Sequence, residues 1–225
     1  YGLFLSSSDL QIGRGEPIRD TARVMSRYLD GIMARVFQHQ ILLDMVQYGT
    51  IPVINGLSDH SHPCQALADY FTIWEKKHKL EGLKVAYIGD GNNMAHSLLE
   101  GAAKLGIHFA AATPPGFEMS PAVIKAAQLA AARSGSEITL TDDPKLAASN
   151  ADILYTDVWA SMGQEAEAER RKKAFQGFQV DAALMRLASP ECRFMHCLPA
   201  HRGEEVSEEV IESTQSIVFD QAENR

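Results

Sequence analysis

The sequence predicts an α/β fold of two doubly wound parallel-sheet domains, the first of them only partly present. Short runs that are apolar nearly throughout, at residues 83–88, 109–112, 138–140, 153–155, 194–197 and 217–219, alternate with helical stretches. Strands that lack an apolar/polar alternation suit a parallel sheet covered on both faces. Residues 17–77 show a second alternation of the same kind. Between the two lies the charged, glycine-containing stretch Lys76-Lys77-His78-Lys79-Leu80-Glu81-Gly82. It places a first domain at residues 1–78 and a second at residues 79–225.

The elements follow in order. Ile18, Ala22, Met25 and Leu29 recur at helical spacing behind Pro17, which suits a first turn, so residues 17–29 read as an amphipathic helix. Residues 32–37 form a strand, apolar except for Arg35. Residues 39–48 form a helix closed by Gly49, and residues 51–54 a second strand. A long helix opens at Ser61 or His62, takes Pro63 into its first turn and runs to Lys77, with Ala66, Leu67, Tyr70, Phe71 and Trp74 expected on one buried face.

Composition narrows the function classes. The chain has 225 residues, 45% apolar and 22% charged, which excludes disordered and collagen-like classes. Lys plus Arg number 21 against 29 Asp plus Glu, a net charge of −8, so nucleic acid is not an expected partner. No apolar run approaches the ~20 residues needed to cross a bilayer, and no secretory signal is visible, although the chain begins at Tyr1 rather than Met. Cys64, Cys192 and Cys197 are expected as free thiols in a reducing, cytoplasmic setting.

In a doubly wound sheet, ligands bind beyond the carboxyl ends of the strands, and polar clusters stand there. Gly89-Asp90-Gly91-Asn92-Asn93-Met94 begins like a dinucleotide fingerprint but has Met94 where a third Gly or Ala belongs. It reads as a glycine turn, or as a pair of amides for a small polar ligand. Asp157 precedes Trp159, Ser161, Met162 and Gly163 at a strand-to-helix connection, where it either caps a helix or binds a cationic group. His196-Cys197-Leu198-Pro199 allows a thiol nucleophile or a buried strand thiol, and neighbours on a strand point oppositely, so adjacency does not make His196 and Cys197 partners. His62 and Gln65, three apart at a helix start, can converge on one ligand. His60, His62 and Cys64 could bind zinc, but no recognised zinc spacing is present and no metal is expected. Arg35, a lone cation in an apolar run, either pairs with an anion or reaches water.

Together these clusters resemble the aspartate and ornithine carbamoyltransferase family. The resemblance rests on Ser6-Ser7-Ser8-Asp9-Leu10-Gln11, Glu16-Pro17-Ile18-Arg19-Asp20-Thr21-Ala22-Arg23, His62-Pro63-Cys64-Gln65, Asn92-Asn93, Asp157-Val158-Trp159-Ala160-Ser161-Met162-Gly163, His196-Cys197-Leu198-Pro199 and Ala222-Glu223-Asn224-Arg225, in family order along the whole chain. The Ser-Met-Gly and His-Cys-Leu-Pro motifs look like the ornithine branch.

The resemblance implies transfer of a carbamoyl group from carbamoyl phosphate to the side-chain amine of L-ornithine, giving citrulline and phosphate. It implies that Arg35, His62 and Gln65 bind carbamoyl phosphate, that Asn93, Asp157, Ser161 and Met162 hold ornithine, that Cys197 and Leu198 face the reacting centre, and that Arg225 contacts carbamoyl phosphate. Arg35, His62 and Gln65 would stabilise charge developing on the carbonyl oxygen and the leaving phosphate, the last two as donors. Cys197 is expected to position the amine rather than to form a covalent intermediate. The chemistry requires no metal or organic cofactor, and the family is typically a homotrimer. The family's Ser-Thr-Arg-Thr phosphate loop and its last helix are expected outside residues 1–225, so that the sequence is an internal piece of a longer protein. The alternatives are a catalytically incomplete fragment and a transcarbamoylase for another amine such as putrescine or acetylornithine.

Overall fold

A computed structural model describes residues 1–6, 10–160 and 167–225. The chain forms two compact units, Tyr1–Pro63 and Cys64–Arg225. In the first, a 3₁₀ turn (Gln11–Arg14) is followed by α1 (Ile18–Met25), β1 (Ile32–Arg35), α2 (His39–Tyr48) and β2 (Val53–Leu57). β1 and β2 pair in parallel with Ile32 opposite Val53, and α2 makes the crossover. The second strand starts later than its apolar pattern predicts because Pro52 has no N–H to donate. Its carbonyl still accepts from Ile32 N at 2.9 Å.

The second unit begins inside α3 (Pro63–Lys77) and continues through β3 (Lys84–Ile88), α4 (Asn93–Leu105), β4 (His108–Ala112), α5 (Pro121–Ser134), β5 (Ile138–Thr141), α6 (Pro144–Ala148), β6 (Ile153–Thr156), α7 (Ala168–Ala174), α8 (Ala182–Met185), β7 (Arg193–His196), α9 (Glu208–Ile211) and α10 (Val218–Glu223). Five strands form one parallel sheet in the order β5-β4-β3-β6-β7. Side chains alternate across it: Val85, Tyr87, Ile153 and Tyr155 join one core layer with Tyr70 and Leu98, whereas Ala86, Ile88, Leu154 and Phe194 join the other with Phe175 and Val206. Burial of both faces is why these strands read as continuous apolar runs. Among the described residues, no helix is long and apolar enough to cross a membrane.

Two expectations are corrected. Residues 217–219 are not a strand: Phe194 N donates to Gln215 O at 2.9 Å and Ile217 N to Phe194 O at 3.0 Å, a single bridge at Ser216, after which the chain winds into α10. Three apolar residues cannot distinguish a strand from the start of a helix. The expected apolar face of α3 is also two stripes. Ala66, Tyr70 and Ile73 are buried, while Leu67, Phe71 and Trp74, about 100° further round the helix, are exposed, with Phe71 stacked on Trp74 at 6.0 Å.

The turn from β3 to α4 is tightly enclosed. Gly91 N donates to Phe117 O at 2.8 Å, and a Cβ on Gly91 would lie 2.3 Å from Met119 N and 2.4 Å from the carbonyl carbon of Glu118. Both are backbone atoms and cannot swing away. Gly91→Ala should therefore destabilise the fold by roughly 2–3 kcal/mol, seen as a drop of several degrees in Tm; an unchanged Tm would show that the turn yields.

Candidate active site

The strand order reverses direction between β3 and β6, the position where a doubly wound sheet opens a crevice at its carboxyl edge. The register sets Ile88 beside Thr156, so the residues that follow these strands meet. Asn92 caps α4: its Oδ1 accepts from Met94 N at 2.9 Å and Ala95 N at 3.1 Å. The cap fixes the amide, and its Nδ2 donates to Asp157 Oδ2 at 2.8 Å. Asp157 Oδ1 accepts from Val158 N at 2.8 Å and from the Cys197 thiol at 3.0 Å.

Cys197 thus donates to a buried carboxylate. Burial, then the charge of Asp157, pushes its thiol well above the ordinary range. Such a sulfur stays protonated and is a poor nucleophile at neutral pH. Its neighbour His196 points the other way, as strand geometry requires. His196 Nδ1 accepts from Leu198 N at 2.8 Å, so the ring proton sits on Nε2, which faces Glu205 Oε1 at 3.2 Å; both side chains are fully buried. Leu198 follows with φ 55°, in the left-handed region that non-glycine residues seldom occupy, and a cis bond leads to Pro199.

Gln65, in the first turn of α3, donates through Nε2 to Asp69 Oδ1 at 2.7 Å and accepts at Oε1 from Arg225 Nη1 at 3.2 Å. Arg225 also donates to Cys197 O at 2.8 Å. Asp69 is completely buried and accepts further from Gln221 Nε2 at 2.7 Å and Tyr155 OH at 3.0 Å. Burial outweighs these bonds and raises its carboxyl to about 7. At the other flank, buried Arg171 donates to Asp90 Oδ2 and to Trp159 O, both at 2.7 Å, tying the segment after β6 to the turn after β3.

A buried carboxylate, a protonated thiol and an exposed guanidinium at one sheet edge suit a ligand carrying an amine beside a group carrying negative charge. Comparison with known proteins identifies the architecture. The family model described as the carbamoyl-phosphate binding domain of aspartate/ornithine carbamoyltransferase matches residues 2–75, and that of the Asp/Orn binding domain matches residues 81–225. The chain belongs to the aspartate/ornithine carbamoyltransferase family. It is 61% identical over its whole length to the ornithine carbamoyltransferase of Thermococcus kodakarensis and spans 71% of that protein. The solved ornithine carbamoyltransferase of Pyrococcus furiosus superposes with a TM-score of 0.95 at 60% identity, over 99% of this chain and 71% of that one. The anabolic enzyme of Campylobacter jejuni superposes at 0.93 with 44% identity, over 99% and 74%.

The second unit therefore brings Gln65, Asp157, Cys197, Leu198 and Arg225 of the expected carbamoyltransferase site into one network. Asn93 opens α4, but the amide bonded to Asp157 is that of Asn92. Ser161 and Met162 lie outside the described residues. Arg35 ends β1 and is exposed, and His62, half-buried, precedes α3; both belong to the first unit. Gln65 differs from the expectation of a donor: its N–H is engaged by Asp69, and its acceptor turns toward Arg225. Asp69, Tyr155, Gln221 and Arg171 were not expected. Asp69 could have been found, since it lies one helical turn from Gln65; nothing in the sequence pattern marks Gln221.

Two outcomes follow from the buried charges. Asp157→Asn removes the anion that holds the Cys197 thiol up, so alkylation of Cys197 at pH 8, followed by mass spectrometry, should accelerate about tenfold or more; an equal or slower rate would deny the coupling. For Asp69 the folded-state carboxyl lies above its unfolded value of 3.8, so the folded state binds the proton more tightly. Its stabilising contribution is complete below about pH 4 and is lost as pH rises to about 7. Relative to Asp69→Asn, the native protein should lose on the order of 2–4 kcal/mol across that window in denaturant titrations, and parallel curves would show that Asp69 does not titrate there.

Proposed function

We propose that this protein transfers the carbamoyl group of carbamoyl phosphate to the side-chain amine of L-ornithine, giving citrulline and phosphate. The observation that carries the reading is the Asn92–Asp157–Cys197 cluster at the strand-order reversal, with Gln65 and Arg225 joined to it through Cys197 O. Membership of the family and the identity to proteins named ornithine carbamoyltransferase support it.

The reaction is attack of a neutral amine on the carbonyl carbon, through a tetrahedral intermediate, with phosphate leaving. Asp157, buried and negatively charged, suits an ornithine amine. Cys197 directs its S–H at Asp157, which leaves sulfur lone pairs to orient an N–H of the approaching nucleophile. Arg225 supplies positive charge for the phosphate end, and Gln65 Oε1 is an acceptor for the carbamoyl amide N–H. Arg35 and His62 are assigned to carbamoyl phosphate, Asn93, Ser161 and Met162 to ornithine, and Leu198 to the reacting centre. The assignment of Arg35 rests on the family resemblance as a whole, and the others on the motifs they occupy. We place the domain boundary between residues 78 and 79, in the gap between the two matched segments. The protein is read as a cytoplasmic homotrimer that uses no metal or organic cofactor, with neither nucleic acid nor membrane as partner.

The full-length protein should form citrulline from ornithine and carbamoyl phosphate, with putrescine and acetylornithine slower by about two orders of magnitude or more. Asp157→Asn should lower kcat/KM for ornithine by about 100-fold or more, roughly 3 kcal/mol of transition-state stabilisation. Cys197→Ala should retain traces of single-turnover product. Equal use of putrescine, or capture of a carbamoylated Cys197, would sink the assignment.

A further inference from the structure

We propose that Asp69 is a positioning residue for carbamoyl transfer, one that locks the side-chain amide of Gln65 with its oxygen toward Arg225. The proposal rests on the function given above. Asp69 has no solvent exposure and cannot touch a substrate. It acts through what it holds.

The argument is one of donors and acceptors. Asp69 Oδ1 accepts from both glutamines whether the carboxyl is ionised or carries its proton on Oδ2, toward Tyr155. Gln65 Nε2 donates to that oxygen at 2.7 Å, so Gln65 Oε1 must face the other way, where Arg225 Nη1 donates at 3.2 Å. Turning the amide over would set Oε1 against Asp69 Oδ1 and Nε2 against a guanidinium, two mismatches at once. Gln221 is fixed by the same logic, since its Oε1 accepts from His196 N at 2.9 Å while its Nε2 donates to Asp69 at 2.7 Å and to Tyr155 OH at 3.1 Å.

Each element tied to Asp69 carries a group of the site. α3 carries Gln65. Tyr155 on β6 lies two residues before Asp157, and His196, which Gln221 grips, immediately precedes Cys197. Gln221 on α10 lies four residues before Arg225. Asp157 is oriented separately by Asn92, so among these groups the Gln65 amide is the one whose orientation Asp69 decides. Its carboxyl pKa is raised by burial against the pull of these three hydrogen bonds, as fits a group cut off from water and held by neutral donors.

Two substitutions separate positioning from simple support of the core. Asp69→Asn keeps one carbonyl oxygen for both glutamines and offers an NH₂ to the Tyr155 oxygen, so the Gln65 amide stays as it is. Asp69→Leu fills the same space with a side chain that accepts nothing. In the full-length protein, Asp69→Leu should raise KM for carbamoyl phosphate by about tenfold or more while KM for ornithine moves less than about threefold, and Asp69→Asn should restore the former to within about threefold of wild type. If Asp69→Leu does not fold, the Gln65 side-chain amide resonances decide in wild type and Asp69→Asn: one N–H held downfield and slow to exchange in both supports the lock, and a freely flipping amide in either overturns it. Equal rises in both KM values, or an Asp69→Asn variant as impaired as Asp69→Leu, would also overturn it. Absence of citrulline from the wild type would refute the function alone; the calorimetric Kd for carbamoyl phosphate in the three proteins would then decide the positioning role by the same ratios.

Discussion

The site depends on one pairing, that of β3 with β6. Because β4 and β5 continue the sheet on one side of β3 and β6 and β7 on the other, the connections leaving β3 and β6 diverge, which in a doubly wound sheet opens a gap above the pair. Asn92 and Asp157 emerge into that gap from strands in fixed register. Asn92 commits its oxygen to the exposed N–H groups of α4 and its nitrogen to Asp157. A helix cap is thereby also the orienting group for the carboxylate. A one-residue slip between β3 and β6 would turn their side chains to the wrong faces.

Around this pairing the protein buries charge in an uneven way. Asp90 meets Arg171 directly, and the guanidinium partly offsets a carboxyl that burial drives upward. Asp69, among the described residues, has no cation in its hydrogen-bond shell and depends on three neutral donors. Asp157 likewise has an amide, a thiol and a backbone N–H. Neutral donors can satisfy the lone pairs but do not cancel the charge, and the charges of Asp157 and Asp69 both raise the Cys197 thiol. A cationic amine beside Asp157 would relieve this excess of negative charge, which is the electrostatic basis for reading the crevice as an amine site.

Much of this was legible in the sequence. The parallel sheet followed from strands apolar on both faces, and the association of Asp157 with Cys197 from the resemblance of their motifs to the family. The failures share a cause on α3. Its buried side carries Ala66, Tyr70 and Ile73, but also Gln65, Asp69 and Thr72, all essentially inaccessible. Apolar periodicity follows apolar residues alone, so Leu67, Phe71 and Trp74 were grouped with the buried Ala66 and Tyr70, and nothing marked Asp69 or Thr72 as buried. Two of the three donors that make Asp69 tolerable inside are distant in sequence: Tyr155 and Gln221 lie 86 and 152 residues away. Periodicity carries no information at that distance. The segment at 217–219 failed similarly, because its single bridge to β7 gives it a strand-like apolar need without a strand's conformation.

The polar stripe of α3 also bears on why the core is not simply apolar. A buried hydrogen-bonded network contributes little net stability, since each bond replaces one with water and the carboxylate must be stripped of solvent. Apolar residues of the same volume would hold α3 against β6 and α10 with less penalty. They would not choose between the two orientations of an amide. An amide's faces differ in hydrogen-bonding sense and hardly at all in shape, so only partners with fixed donor or acceptor character can tell them apart. Asp69 Oδ1 accepts from the Gln65 amide in either protonation state of the carboxyl, which fixes that choice. The buried carboxyl of Asp69 is best understood as the cost of a directional core at the one place where direction matters, behind the residue that faces Arg225.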